Sequence, residues 1–429
     1  MERHPDYDEF VRPMPSWYPE AKLGIFMHWG PYAVPGWAEP IGAHGTFHGE
    51  GWEREFNTHN PYAEWYYNTI RIEGSPARQH HFEAHGGRPY DDFLDQWTAA
   101  DFDADDLLAL VKRSGARYFV PTTKHHDGVT LWDAPHTGDR NTVQRGPRRD
   151  LVGEMRDAAE RHGVRFGVYY SGGLDWHVDS GPPVIGPLGD AYRPIHAEYA
   201  RYVHAHVADL IDRYAPEILW GDIEWPDAGK APGEHSLIDL FRRFYARRPD
   251  GVVNDRWGDT HWDFRTSEYE VNHGAESASA WENCRGIGFS FAYNRLEDAS
   301  HSMTGPETIR YFVDVVARGG NLLLNIGPTA EGRVTDIQRR ALEELGAWND
   351  VNGAAVFGSE PLPEGWAASS ETPWIRWTRT NGFAHAFIDA PTGDVVSLEV
   401  ASERIDAPSS VVVPDSDAPG PVVLSFPLR

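Results

Sequence analysis

The chain has 429 residues, enough for two or three domains of ~150 residues, or for one large barrel with a small companion. With 39 basic against 65 acidic residues, its net charge of −26 repels phosphate backbones, so neither nucleic acid nor an anionic membrane is an expected partner. A hydrophobic share of 40% with 17 Trp, 18 Tyr and 19 Phe excludes a disordered chain, and the single cysteine, Cys284, excludes an internal disulfide or a cysteine-rich zinc site.

Met1 to Tyr7 carry no apolar stretch, and no run anywhere approaches ~18 apolar residues, so a cytoplasmic protein without a membrane span is expected. Over 105–114, Leu107, Leu108, Leu110 and Val111 form one stripe, which predicts a helix. It stops at Gly115, and 117–121 reads as a buried strand. A helix over 151–161 stops near Gly163 and leads into a strand at 165–170. In both units glycine supplies the positive φ of a helix C-cap. Helices over 197–214, 236–247 and 307–317 lead likewise into strands at 217–220, 251–254 and 321–326.

Repeated helix–strand units joined by short turns require parallel strands with right-handed crossovers. A doubly wound sheet and a barrel both satisfy this rule, but the glycine-rich phosphate-binding loops of nucleotide-binding sheets are missing. Polar, chemically capable residues instead follow the C-terminal ends of several strands, as a barrel active site requires. The expected architecture is α/β: a (β/α)8-like catalytic barrel over 1–352, then a small antiparallel β domain over 353–429. A last helix at 335–348 precedes the second domain, whose short runs at 374–377 and 395–400 are separated by Pro, Gly and Ser.

Six clusters stand out, most of them setting aromatic rings beside histidine or carboxylate: Met27-His28-Trp29-Gly30, Glu64-Trp65-Tyr66, Thr123-Lys124-His125-His126-Asp127-Gly128, Tyr169-Tyr170-Ser171-Gly172, Trp220-Gly221-Asp222, and Asn254-Asp255-Arg256-Trp257 continuing to Glu268. Any one of them reads as a buried ring with a satisfied polar neighbour. Six together suit a sugar, whose C–H faces stack on rings while its hydroxyls need directional partners.

With Lys22-Leu23-Gly24-Ile25-Phe26, Gly173-Leu174-Asp175-Trp176, Trp281-Glu282-Asn283-Cys284-Arg285-Gly286 and Gly319-Gly320-Asn321-Leu322-Leu323-Leu324-Asn325, these motifs resemble the α-L-fucosidases of glycoside hydrolase family 29 over roughly residues 15–350. The resemblance implies a barrel followed by a β-sandwich. It also implies release of terminal α-L-fucose from fucosyl oligosaccharides or glycoconjugates by a retaining double displacement, without metal or cofactor.

On that resemblance Asp222 is the nucleophile. Trp220 and Asp222 share strand parity, so ring and carboxylate enter the barrel mouth together. Glu224 shares the parity and is the local rival, and a turn-capping role is the alternative for Asp222. Three glutamates compete as general acid/base: Glu268, Glu64 and Glu282. Glu268 is chosen for its spacing from Arg256, with a salt bridge to Arg256 or Arg265 as its alternative, while Glu282 reads as a supporting residue. By the same resemblance His28, Glu64, Trp65, His125, His126, Tyr169, Trp220 and Arg256 line the fucose pocket. The histidines would bond ring hydroxyls, and Trp65 or Trp220 would meet the fucose methyl. His125 and His126 can both reach the sugar only if the chain leaves strand geometry there. Tyr169 is preferred to Tyr170 on spacing.

Two other readings compete. In a metal-dependent hydrolase, His81 and His85 at i, i+4 would share a helical face, but no third ligand is evident. A fucose-binding lectin would need the rings and histidines without paired carboxylates, and Asp222, Glu268 and Glu64 favour catalysis. Contacts to the leaving group are expected from the loops 41–56 and 173–194. The linkage, the aglycone and the oligomeric state, a homo-oligomer included, stay open.

Overall fold

In a computed structural model that describes residues 3–42, 49, 51–271 and 279–429, eight parallel strands curl into one sheet. They are β1 (Leu23–Met27), β2 (Tyr118–Lys124), β3 (Arg165–Ser171), β4 (Ile218–Asp222), β5 (Val252–Val253), β6 (Arg265–Glu268), β7 (Trp281–Gly286) and β8 (Asn321–Ile326). Hydrogen bonding runs in the order β5-β4-β3-β2-β1-β8-β7-β6, so the first and last strands in sequence are neighbours, as in a (β/α)8-like barrel. Between β5 and β6 no ladder forms among the described residues. The seam is held by single bonds: Asp263 N–H to the Val253 carbonyl at 2.8 Å, and Thr266 N–H to Asp255 Oδ1 at 3.0 Å.

The helices between strands form where capping and an apolar stripe agree. In Ala104–Arg113, the Asp103 carboxylate accepts from the N–H groups of Asp105 and Asp106, while Leu107, Leu108, Leu110 and Val111 are buried. Leu151–His162 ends on Gly163 at φ 63, a conformation that costs glycine nothing because it has no Cβ. Gly305–Ala317 opens on a capping box between Thr304 and Glu307.

Two strands reach farther than their apolar runs predict. β2 continues through Pro121 to Lys124, with a register shift between Thr122 and Lys124, and β4 runs past Trp220 to Asp222. The extra residues are polar yet buried, which is why hydropathy did not mark them. Along the strands, alternate side chains divide two cores. Ile25, Phe119, Val168 and Leu219 pack outward under the helices, whereas Phe26, Tyr118, Tyr169, Trp220, Phe264 and Phe291 fill the inside. Toward the strand N-termini, Glu282 is fully enclosed. It accepts from Tyr18 Oη at 3.0 Å, Tyr118 Oη at 2.5 Å and Trp220 Nε1 at 2.9 Å. Burial pushes its carboxyl up to about 7, against the pull of those three donors.

After the helix Asp336–Asn352 the chain turns antiparallel. The strands β9 (Glu360–Pro361), β10 (Ser370–Glu371), β11 (Trp374–Thr380), β12 (Phe383–Asp389) and β15 (Val422–Pro427) form a five-stranded sheet, with β13 (Val395–Ser397) paired to β14 (Ser410–Val412). Its own core holds Ile375, Trp377, Ala386, Ile388, Leu398 and Ile405. It is tied to the barrel by Arg376 pairing with Asp314, by Arg310 with Asp389 at 3.1 Å, and by Trp348 Nε1 bonding the Pro421 carbonyl at 2.8 Å. No helix among the described residues is long and apolar enough to cross a membrane.

Candidate active site

A cavity of about 380 Å³ opens at the C-terminal ends of the barrel strands. All ten residues singled out in the sequence line it: His28, Glu64, Trp65, His125, His126, Tyr169, Trp220, Asp222, Arg256 and Glu268. They come from stretches of the chain spread from His28 to Glu268, which the curled sheet brings together.

The two carboxylates lie at strand ends. Asp222 is the last residue of β4 and Glu268 the last of β6, and the chain behind each turns into the left-handed region, at Ile223 (φ 58), Glu224 (φ 67) and Tyr269 (φ 54). Such conformations cost non-glycine residues ~1–2 kcal/mol each, so the surrounding bonds must hold them. The Glu224 N–H bonds the Arg256 carbonyl at 3.0 Å, for example. The turn also decides between Asp222 and Glu224. Parity gave them one face, but the strand has ended, and Glu224 instead pairs with Lys230 at 2.7 Å and Arg193 at 3.2 Å, away from Asp222. The close passage of Gly173 under this turn requires glycine, since an added Cβ would lie 1.7 Å from the Ile223 carbonyl oxygen.

Every carboxylate oxygen of the pair has a donor. Arg256 Nη1 reaches Asp222 Oδ1 at 3.2 Å and Glu268 Oε2 at 3.0 Å. Tyr169 donates to Asp222 Oδ2 at 2.8 Å and Tyr62 to Glu268 Oε1 at 3.1 Å. The pairing of Glu268 with Arg256, the alternative to its catalytic reading, is therefore present, and it is what sets the carboxyl beside Asp222. Tyr170, the rival of Tyr169, points the other way and bonds His206 Nδ1 at 2.9 Å. The motif Asn254-Asp255-Arg256-Trp257 explains itself in space. Asn254 bonds both backbone groups of Gly221, at 2.8 and 2.9 Å, and Asp255 accepts from Thr266. Arg256 enters the cavity, with its guanidinium 4.8 Å over the Trp220 ring, and Trp257 packs on Trp225.

The histidines are neutral acceptors. Asn325 donates its amide to the Phe291 carbonyl, so its Oδ1 accepts at 2.7 Å from His28 Nδ1–H, and His28 Nε2 is left with a lone pair. Ser171 donates to the Leu174 carbonyl and accepts at 2.7 Å from His126 Nδ1, with the same result. Burial lowers His28 to about 4, and lowers His125 and His126 well below the usual imidazole range. β2 ends at Lys124, and the next two rings lie 3.9 Å apart, so the chain does leave strand geometry and both histidines line the cavity. His125 Nδ1 is buried without a partner among the described residues, as a group that awaits a hydroxyl would be.

The other two glutamates differ. Glu64 lines the cavity, but its Oε2 accepts from Ser290 Oγ at 3.2 Å and the Ala292 N–H at 2.8 Å, and burial raises it to about 7. Glu282 lies behind Trp220 and does not line the cavity. His81 and His85 sit on the helix Pro76–His85. Both ring nitrogens of His81 are engaged, by the Tyr66 hydroxyl at 3.2 Å and the Arg88 carbonyl at 2.8 Å. Among the described residues no three His, Cys, Asp or Glu side chains are grouped to hold a metal ion.

Sequence reasoning missed Tyr62, which holds Glu268, and the pocket rings Phe26 and Phe291. Tyr62 stands two residues before Glu64, and that proximity was the available signal. Of the two loops expected at the leaving group, 43–48 and 50 lie outside the described residues, while Trp52, Glu53, Phe56, Val184, Gly186, Pro187 and Leu188 line the cavity.

The family model for α-L-fucosidase matches residues 4–354. An α-L-fucosidase of Dictyostelium discoideum is 30% identical over 407 residues, which span 92% of this chain and 82% of that one. The tissue α-L-fucosidase of Homo sapiens is 31% identical over 396 residues, 90% of this chain and 78% of that one. A solved α-fucosidase of Thermotoga maritima in complex with fucose superposes with a TM-score of 0.84 at 37% identity, over 97% of each chain. The chain belongs to the α-L-fucosidase family, glycoside hydrolase family 29.

Proposed function

We propose that the protein removes terminal α-L-fucose from oligosaccharides or glycoconjugates with retention of configuration, using Asp222 as nucleophile and Glu268 as general acid/base. The observation that carries this reading is the sharing of Arg256 Nη1 by the two carboxylates, at 3.2 and 3.0 Å, on the floor of a cavity rich in rings and neutral imidazoles. A retaining enzyme needs its two carboxyl groups ~5–5.5 Å apart, close enough for one to attack the anomeric carbon while the other serves the leaving oxygen.

In the first step an Asp222 oxygen bonds to C1, the bond from C1 to the glycosidic oxygen breaks, and Glu268 gives that oxygen its proton. In the second, water attacks C1, gives a proton to Glu268, and the bond to Asp222 breaks. The lone pairs of His28 and His126 accept from sugar hydroxyls, and Trp65 and Trp220 supply apolar surface for the ring and its methyl. Arg256 and Tyr169 hold Asp222 oriented through both of its oxygens.

The test is the anomeric form of the first product. Proton NMR during hydrolysis of an aryl α-L-fucoside is expected to record α-L-fucose first, with the β anomer growing in by mutarotation. First release of β-L-fucose would overturn the retaining mechanism.

A further inference from the structure

We infer that Trp52, Phe56 and Leu188 form the seat of the leaving group, and that this seat takes an uncharged pyranose in preference to an anionic one. The inference rests on the fucosidase reading above.

The general acid fixes the direction. It must protonate the glycosidic oxygen, so the leaving group departs past Glu268. From Glu268 a continuous aromatic wall runs outward. Tyr62 bonds Glu268 at 3.1 Å, Phe56 meets the Tyr62 ring edge-on at 5.7 Å, and Trp52 meets Phe56 at 6.0 Å. Trp52 and Phe56 stand at i, i+4 on the helix Trp52–Thr58 and so share one face of it.

The depth profile agrees. His28, His126 and Trp220, which would hold the fucose, are at most 5% exposed, whereas Leu188 is 43% exposed and Trp52 half-buried, though all line the same cavity. The segment carrying Leu188 is anchored at Val184, where the Asn68 side chain bonds both the N–H, at 2.8 Å, and the carbonyl, at 3.1 Å. A preformed rim of this kind can bind a partner without first being ordered.

Its chemistry selects the occupant. A broad indole beside an aliphatic side chain suits the C–H face of a pyranose. Glu53, next to Trp52 and also lining the cavity, accepts from hydroxyl groups and repels anions. Among the described lining residues Arg256 is the one cation, and both carboxylates already hold it. No other described lining residue carries a positive charge that could neutralise a sulfate or carboxylate on the second sugar.

The test compares kcat/KM on three substrates: α-L-fucosyl fluoride, whose leaving group is too small to reach the seat; a neutral fucosyl disaccharide; and the same disaccharide carrying a sulfate on its second sugar. Wild type is expected to favour the neutral over the sulfated disaccharide. In Trp52→Ala the neutral disaccharide should lose about tenfold more than the fluoride does, the scale of one aromatic stacking contact. Leu188→Ala, at an exposed position that cannot disturb the core, should lose in the same direction, and Glu53→Gln should narrow the gap between the two disaccharides. Equal losses on fluoride and disaccharide in both Trp52→Ala and Leu188→Ala would overturn the seat, and wild-type indifference to the sulfate would overturn the charge selection. Failure of wild type to release fluoride would overturn the fucosidase reading itself, and the seat with it.

Discussion

Asp222 and Glu268 are joined through a single atom, Nη1 of Arg256, which lies 3.2 Å from one carboxylate and 3.0 Å from the other. Two hydrogen bonds to one nitrogen limit how far apart those oxygens can be. They cannot reach most of the ~6.5–9.5 Å range that an inverting enzyme keeps open for a water between its carboxyl groups. The guanidinium thus acts as a spacer as well as a counter-ion. It is set there by Asn254 and Asp255, which tie its backbone to β4 and to the start of β6.

The nucleophile is the sharper of the two assignments. Asp222→Gly should lower turnover of an aryl α-L-fucoside by about a thousandfold or more, because the covalent step is lost. Azide should restore part of the rate and yield β-L-fucosyl azide, attacking through the space the carboxylate leaves. A variant that keeps a tenth of wild-type activity removes Asp222 from the role.

Asn325 sits outside the cavity lining, yet it fixes the tautomer of His28 through the 2.7 Å bond to Nδ1. Asn325→Leu should therefore free the ring to turn or change tautomer, and its Nε2 would no longer be a fixed acceptor. We expect KM to rise by about tenfold, within the range such supporting contacts carry, with a smaller fall in kcat. With His28 at about 4, wild-type KM should stay flat between pH 5 and 8 as far as this group is concerned. A fall in kcat with KM unchanged would rule out a binding role for His28.

How much of this was legible follows from where hydropathy and function coincide. The units built on Leu107 to Val111 and on 321–326 announce themselves, because their buried faces are apolar. β6 and β7 do not. Arg265-Thr266-Ser267-Glu268 and Trp281-Glu282-Asn283-Cys284 place polar side chains in the barrel, where Arg256, Tyr62 and Tyr18 satisfy them, so no apolar run marks the strand. Parity arguments fail for a related reason. They hold only while the strand lasts, and left-handed Ile223 ends β4 before Glu224 can follow Asp222 into the cavity. Tyr62 had only its nearness to Glu64 to mark it, since it acts on Glu268 through a fold contact 206 residues away.

Glu282 carries a pH signature of its own. Its pKa is raised to about 7 in the folded protein, so its stabilising contribution is present below the ordinary carboxylate value near 4.5 and is lost as pH rises through 7. Glu282→Gln keeps the shape without the ionisation. Relative to wild type the variant should gain stability between pH 5 and pH 8, by on the order of 3 kcal/mol at most. Thermal unfolding of both proteins at the two pH values measures it. An equal difference in Tm at pH 5 and pH 8 would mean that Glu282 titrates normally.

The choice of general acid sets two criteria against each other. Glu64, raised to about 7 by burial, has the pKa expected of an acid/base. Glu268 has the position, bonded through Arg256 to the nucleophile, while Glu64 spends one oxygen on Ser290 and Ala292. Position should win, because a proton donor that cannot reach the glycosidic oxygen has no use for its pKa. In Glu268→Ala a fucosyl disaccharide should be slowed drastically, since its leaving oxygen needs a proton. An aryl fucoside with a good leaving group should lose little in its first step and then stall at deglycosylation, where the same residue activates water. The alkaline limb of the pH–rate profile should vanish as well. Glu64→Ala should chiefly weaken sugar binding, and Glu282→Ala should chiefly lower stability by leaving three buried donors without an acceptor. If the leaving-group dependence and the lost limb appear with Glu64→Ala instead, the acid/base role passes to Glu64, while Asp222 and the retaining double displacement stand.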